Sequence, residues 1–593
     1  MRKSWALSIW CFLGAGVMFG VHARAADGGA PATSQPVERP SDIPAAAPVL
    51  RPFGYTPAAK ATEGLRSSGD FLPVPDRWRI GFPMDYRQNV RGGAGAALNP
   101  YEQNFLKGDF AIPGTQNLFL SLSATSDTLF EARRLPVASG VSTVRPGSFD
   151  FFGQGRQVLG SENLILSAEL FSGDAGYEPK RWAIRATPVF SGIDLHTSEK
   201  SLVSPDVRHA TDRADGWVGF QELFFEKRLD GFFKPSANFD FSSVRVGIQG
   251  FTSDFRGFLF SDNEPGIRLF GNFDNNRLQY NLAWFTQVEK DTNTGLNTFN
   301  LREQNVFLAN VYRQDFIWPG YTAQVSFNAN IDNSRALVDK NGNVERPAPV
   351  GTIQNKSVDA YYLGWAGDGH IGPVNVSHQF YQAFGRESFN PIAGRQVNIN
   401  AQFASIEISY DRDYMRFRGS FAYASGDRNP TGGTASGFDS IFDNPNFAGG
   451  GYSFFTRQGL RLVDTGLALN NRNSFLPDLR TSKEQGQANF VNPGLLIYNI
   501  GFDADLTPKL KLITNASYLQ FDSPRVLQLL QHDNKITRDI GLDLSVGLQY
   551  RPFLNNNVIV NVGAAALVPG RGFKEIYSSQ TLYSVFTGVT FSY

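Results

Sequence analysis

Polar residues recur at every second position along much of this chain, and the charged ones among them are its first chemical feature. Glu169, Arg181, Arg185, Glu222, Glu226, Arg245, Arg268, Glu289, Arg416, Arg418, Asp503, Asp505, Asp543 and Arg551 all fall on the polar parity of their segments. Residues of one parity share a face when the backbone is extended. Arginines opposed to carboxylates around a common cavity would create a transverse field that selects solutes by charge. The plainer alternative is a salt-bridged interior that stiffens the fold. The set is mixed in sign, which argues against a pore dedicated to polyanions. Catalysis finds little footing. Outside the N-terminal leader the histidines are His196, His209, His370, His378 and His532, with no H-x-x-x-H spacing, and there is no G-x-S-x-G or C-x-x-C-H sequence. A Ser/His/acid set dispersed along the chain is the residual alternative. No catalytic residue, metal site or cofactor is assigned.

Three loop-like stretches carry further candidates. In "TSDFRGFLFSDNEP", Asp254, Phe255, Arg256, Phe258, Phe260 and Asp262 suit a constriction folded inward, because three phenylalanines at a wet rim would be unfavourable. The alternative is a rim loop touching lipopolysaccharide. The longest unpatterned stretch, about 428–485, holds Phe438, Phe442, Phe447, Tyr452, Phe454 and Phe455 with Asp439, Asp443 and Arg457. A stretch of that length is usually functional or disordered, and this one would plug a mouth, bind carbohydrate or simply cap the surface. In "DKNGNVE", Asp339, Asn341 and Asn343 are spaced like calcium ligands. The glycine is at the fourth place and no Glu follows at the twelfth. A hairpin turn on Asn341-Gly342 is the better reading.

The elements that must position these groups are strands. "YTAQVSFNANI" sets Tyr321, Ala323, Val325, Phe327, Ala329 and Ile331 against Thr322, Gln324, Ser326, Asn328 and Asn330; "LDLSVGLQYR" alternates in the same way. "NVFLANVYRQDF" and "VNINAQFASIEISY" change phase partway, which suggests a bulge or a misplaced boundary. From Asn117 onward about 18 such segments follow one another. Short links (275–276, 317–320, 371–373, 411–413, 507–509, 554–557, with others near 174–180 and 230–238) alternate with long ones. The long links are 253–265, 291–304, 334–356, 386–395, about 428–485, 524–540 and 570–579, with others near 136–161 and 197–214.

A soluble sandwich has loops of similar length at both ends. Tight turns at one end, long loops at the other and an even strand count describe an all-β chain closed into a transmembrane antiparallel barrel. Its turns would be periplasmic and its loops extracellular. The barrel must close, because hydrocarbon offers no partner to an edge strand. Mean hydropathy is −0.25, which excludes a helical membrane protein. The 593 residues hold 55 basic and 55 acidic side chains, so no overall charge points to nucleic acid.

The last segment, "TLYSVFTGVTFSY", places Tyr583, Val585, Thr587, Val589, Phe591 and Tyr593 on one parity. It resembles the C-terminal strand of bacterial outer-membrane proteins. That resemblance implies that Tyr583, Val589, Phe591 and Tyr593 form the signal read by the barrel-assembly machinery, and that this strand closes on the first. Size, strand count and arginine-bearing inner parity are similar to the alginate-export type of porin, in architecture and not motif by motif. "SVRVGIQGFTSDFRGFLF", "EKDTNTGLNTF" and "EQGQANFVNPGLL" resemble blocks of large Gram-negative outer-membrane proteins.

The N-terminal "MRKSWALSIWCFLGAGVMFGVHARA" reads as a cleaved signal peptide over 1–25, with an uncleaved anchor as the alternative. Its Cys11 is the only cysteine of the chain, so disulfide or thiolate-zinc chemistry is not expected. Cleavage would remove Arg2, Lys3 and Arg24 and leave 52 basic against 55 acidic residues. Residues 26–75 are Pro/Ala-rich and read as a periplasmic tether. Residues 76–116 would form a short strand and an irregular piece able to act as a small plug, with the barrel over 117–593. No energy-coupling box is evident, and 18 strands fall short of the 22 of plugged transporters. The expectation is a passive outer-membrane pore for small polar or oligosaccharide solutes, in contact with lipid and lipopolysaccharide. The alternatives are a sheath around a periplasmic redox protein or export apparatus, and a plugged structural or adhesive barrel.

Overall fold

The computed structural model describes residues 106–593, apart from 138–152, 174–179, 231–239, 461, 464–472 and the single positions 201, 205, 207, 210, 475, 478 and 578. The segments expected to be a signal peptide (1–25) and a tether (26–75), and residues 76–105, lie outside the described residues.

Eighteen strands form one antiparallel wall. They are β1 (Leu118–Arg134), β2 (Arg156–Ser172), β3 (Trp182–Thr197), β4 (Asp212–Arg228), β5 (Phe241–Thr252), β6 (Ser261–Phe273), β7 (Leu278–Lys290), β8 (Asn297–Arg313) and β9 (Tyr321–Asp332). The second half holds β10 (Val358–Ile371), β11 (Val374–Asn390), β12 (Arg395–Arg412), β13 (Met415–Ala424), β14 (Leu495–Thr507), β15 (Leu510–Gln520), β16 (Asp539–Tyr550), β17 (Val558–Pro569) and β18 (Leu582–Ser592). Each strand pairs with its sequence neighbour, and β18 returns to β1 in register from Thr125↔Ser592 to Arg133↔Ser584. The chain is therefore a closed 18-stranded antiparallel β-barrel. Below the end of β18 the free edge of β1 is covered by the entering chain, through the Lys107↔Ser121 bridge and Leu122 N–H donating to Leu106 O.

Several loop boundaries differ from the sequence reading. The 386–395 stretch is no long loop: β11 and β12 run on to Asn390 and from Arg395, leaving four residues, so the long–short alternation fails there. The 253–265 and 291–304 loops shrink to 253–260 and 291–296, and Asp262 stands on β6. The segments 524–540 and 570–579 contain short helices, Arg525–Gln531 and Arg571–Ile576. "DKNGNVE" is a hairpin: Asp339 N–H bonds Asn343 O at 2.8 Å, and Gly342 takes the positive φ of 90° that the turn needs.

The outward parity is apolar and uncovered by protein; Val325 and Ile500 are 63% and 70% exposed. An aromatic cluster sits at the short-turn end, where Tyr321 bonds His378 at 2.6 Å, between Trp318 and Trp365. Gly367 makes this fit, since a Cβ there would meet Tyr321 Oη at 2.0 Å.

The expected phase change in β12 is not a bulge. Its inward residues alternate without a break as Val397, Ile399, Ala401, Phe403, Ser405, Glu407 and Ser409, all buried. Near the short turns the inward side is polar and the outward side (Ile406, Ile408, Tyr410) is apolar. Near the long loops the polarity inverts, with Asn398, Asn400 and Gln402 facing out. The strand has left hydrocarbon there, and its inner face meets an apolar mass inside the barrel. The irregularity in "NVFLANVYRQDF" has the same cause, since inward Val306 and Leu308 join that apolar mass and inward Asn310 does not; in addition β8 ends at Arg313 and the remaining residues are turn.

Candidate functional site: the lumen and its two inserted loops

Near the short turns the lumen is lined by arginines and carboxylates from neighbouring strands. Glu169 pairs with Lys180 and, at 2.7 Å, with Arg185, which also reaches Glu222 at 3.3 Å. Glu226 holds Arg245 at 2.6 Å. Arg245 lies 4.2 Å over the Phe224 ring, and Arg268 lies 4.5 Å over Phe270 and 4.9 Å over Phe251. Alternating guanidinium and ring planes thus run along β3–β6, an arrangement that suits the quadrupole of each ring. Arg268 differs from its neighbours: it donates to Asn281 Oδ1 at 2.6 and 2.9 Å, and no described carboxylate pairs with it. Across the lumen Arg418 bonds Asp503 at 2.8 Å and Arg416 bonds Asp411 at 2.7 Å. Asp505 is exposed at the same end.

Four expected pore-lining residues sit differently. Arg181 and Arg551 lie one residue outside β3 and β16, exposed in turns. Glu289 is taken up by Arg346 of the 333–357 loop. Asp543 is buried, accepting from Ser453 Oγ (2.5 Å), Phe455 N–H (2.9 Å) and Phe454 N–H (3.3 Å). These last two are loop anchors, which alternation cannot distinguish from free lumen charges.

The loop 253–260 folds into the barrel. Asp254 organises it by accepting backbone N–H groups from Arg256, Gly257, Phe258 and Leu259 and the Tyr381 hydroxyl at 3.0 Å. Arg256 then spans to the far wall, donating to Ser377 Oγ at 3.0 Å and Glu407 at 3.1 Å. Phe258 packs on Phe403 and Phe447, and Phe260 on Phe285. Phe255 stands edge-on to Tyr312 at 5.5 Å.

The connection 425–494 fills the lumen near the long loops. Phe438, Phe442, Phe447, Phe454, Phe455 and Phe490 are buried in one cluster with inward wall residues such as Tyr362, Phe403 and Ile497. Buried charges cross-link this plug. Arg480 donates to both oxygens of Asp439 at 2.8 and 2.9 Å, and Lys483 lies 3.3 Å from Asp443. Besides Asp543, several wall residues tie the plug in place. Arg302 donates to the carbonyls of Glu484 and Gly486, each at 2.7 Å. Lys356 bridges Glu387 and Ala488 O. Glu131 accepts from Arg457 at 3.1 Å, Gln458 at 2.6 Å and Ser584 at 2.5 Å. Glu131 and Ser584 belong to β1 and β18, so Arg457 and Gln458 staple the closing seam from inside. Glu131 lies on an alternating face that could have announced it. Glu407 was hidden by the polarity inversion of β12, and Glu387 stands where a loop was expected.

Comparison with known proteins gives structural likeness only. No family model matches the chain, and no curated protein matches it. Among solved structures, OccK7 (OpdD) of Pseudomonas aeruginosa aligns with a TM-score of 0.44 and 10% identity, covering 80% of this chain and 98% of that one. A BenF-like porin of Pseudomonas fluorescens Pf-5 (0.42, 10%, 80% and 98%) and OccAB3 of Acinetobacter baumannii (0.42, 10%, 80% and 99%) are similar. At this level the likeness says nothing of solute or mechanism, and a relation to alginate-export porins is not among what it shows.

Proposed function

We propose that this chain is a bacterial outer-membrane pore, porin-like and non-enzymatic, for small polar solutes. One observation carries the reading: a closed barrel whose outward face is apolar around its girth while its lumen is polar and charged. Hydrocarbon outside and water inside explain both faces together. The loop 253–260 and the plug would narrow the passage, with Arg256, Phe255 and Phe258 at the constriction. Recording in planar bilayers tests the reading, since the purified protein should conduct; a barrel that stays silent with and without its plug would favour a structural or sheath role.

Arg268 is a lumen cation with no paired carboxylate among the described residues. Arg268→Gln is expected to lower the permeability ratio of anions over cations in reversal-potential measurements. Arg418→Gln, which removes the partner at 2.8 Å from Asp503 and leaves Lys511 at 3.9 Å, should move selectivity the same way. Unchanged reversal potentials in both variants would remove these residues from the permeation path.

The terminal strand supports an assembly role for Tyr583, Val589, Phe591 and Tyr593. Val585 and Phe591 face outward, exposed, and Tyr593 N–H bonds Ala124 O at 2.8 Å beside the barrel closure. Deleting Phe591–Tyr593 should reduce the membrane-inserted, heat-modifiable form; equal yields would dismiss the signal.

A further inference from the structure

At the β4–β5 seam both strands run on past the end of their ladder. Ladder pairing between β4 and β5 covers only Leu223–Arg228 against Ser243–Ile248. Yet β4 continues to Asp212 and β5 to Thr252, and their other neighbours follow them to those ends. Unpaired strand in or near hydrocarbon is unfavourable unless other groups satisfy it.

Here side chains do so. The connection 291–296 and the start of β8 reach past the β5–β6 hairpin to β4. Asn297 sits at the centre. Its amide nitrogen donates to Asn263 O at 2.7 Å and Phe220 O at 3.3 Å, and its amide oxygen accepts from Lys290 at 2.5 Å. Trp217 Nε1 donates to Asn297 O at 3.2 Å, and Arg213 to Asn293 at 3.1 Å. Such contacts can part without breaking a ladder.

The two sides of the seam differ in chemistry. On the lumen side Gln249 is fully buried with its amide oxygen unpartnered, and Lys290 lies between Asp262 at 2.7 Å and Glu264 at 2.9 Å. On the outer side Val218, Leu223 and Val246 are exposed, and Phe220 faces Phe299 at 6.4 Å. Phe299 and Leu301 are 73% and 65% exposed. A cavity of about 370 Å³ adjoins the hairpin tip, lined by Gly250, Thr252, Asp262 and Asn263 and by Asn444 of the plug. The plug meets the hairpin there, with Ser261 N–H bonded to Phe442 O at 2.8 Å, so the axial route is crowded at this height.

We propose that the β4–β5 seam is a lateral portal, latched by Asn297, through which an amphiphile with one alkyl chain and a polar head passes between the lumen and the outer leaflet. The head, a hydrogen-bond donor, would engage Gln249 Oε1 and the carboxylates of Asp262 and Glu264 around Lys290, and the chain would lie along Phe220, Phe299 and Leu301. This rests on the pore reading above. The test uses Gln221→Cys with Asn263→Cys, whose native side chains approach to 3.5 Å, in the full-length chain, bridged by a short, reducible bifunctional thiol reagent. The probe is a fluorescent dodecylamine, whose head donates hydrogen bonds, transferred across proteoliposome membranes, with ion conductance read in parallel. Bridging should abolish probe transfer and spare ion conductance, reductant should restore transfer, and Asn297→Ala should speed it. Equal transfer with and without the bridge, no transfer by the unbridged protein, or parallel loss of conductance would overturn the portal. Seam-dependent transfer by a barrel that carries no ions would instead overturn the pore and leave the portal standing.

Discussion

Excision of residues 428–485, with a flexible linker in their place, should raise single-channel conductance severalfold. The expectation follows from where the aromatic side chains are. Phe438, Phe442, Phe447, Phe454 and Phe455 are all buried against the inner wall, so their removal widens the half of the lumen nearest the long loops, where Phe490 and the loop 253–260 remain. The 18-stranded wall does not need them for its ladder, which closes through β1 and β18 by backbone pairing. One cost is foreseeable: the excision removes Arg457 and Gln458, leaving Glu131 buried near Arg133 with Ser584 as a remaining donor. The excised barrel should therefore conduct more and unfold at a lower temperature on heat-modifiability gels. Unchanged conductance would mean that the plug does not occupy the permeation path.

Asp439→Ala should release the plug while leaving the wall intact. Asp439 receives Arg480 through both oxygens, accepts the Asn489 N–H at 2.8 Å and lies 3.8 Å from Lys483, all out of contact with water. Removing one partner of a buried ion pair costs about 3–5 kcal/mol, because the other charge stays buried without its counter-ion. That exceeds what a connection whose only ladder with the barrel strands is Thr434–Ala435 against Asn398–Ile399 is expected to withstand, so protease should cut within 428–485 much faster, with the barrel's own melting little changed. Asp439→Asn, keeping shape and losing charge, should fall between. Burial by itself would raise the Asp439 carboxyl, but Arg480 and Lys483 hold it below the usual aspartate range. The sign follows: this contribution is full above the unfolded aspartate value and is lost as pH falls through the lower, folded one. Plug protection against an acid-active protease should therefore persist through mild acid and fail only below the ordinary range. Protection lost already in mild acid would count against this ion pair as the fastening.

Much of the wall was legible in the amino-acid order, and particular residues show why. Leu542, Leu544, Val546 and Leu548 alternate with Asp543, Ser545, Gly547 and Gln549 because each strand meets lipid on one side, and period 2 is local information. Polarity inverts along β12 because the solvent changes along the strand, which a local pattern registers only as a fault. Arg185, Arg245, Arg268 and Arg418 were identifiable as inward by parity. Whether an inward carboxylate is free, like Asp505, or consumed, like Asp543, depends on a loop some ninety residues away reaching it.

By itself, then, the sequence determined the strands, their faces and their number, since each is set by neighbours two residues apart and by turn chemistry at the ends. Only the tertiary structure decided what fills the barrel and where its wall is weak. The partners of Glu131, Asp439 and Asn297 come from distant segments, and hydrogen bonds over such separations follow from closure of the whole sheet, not from any local preference.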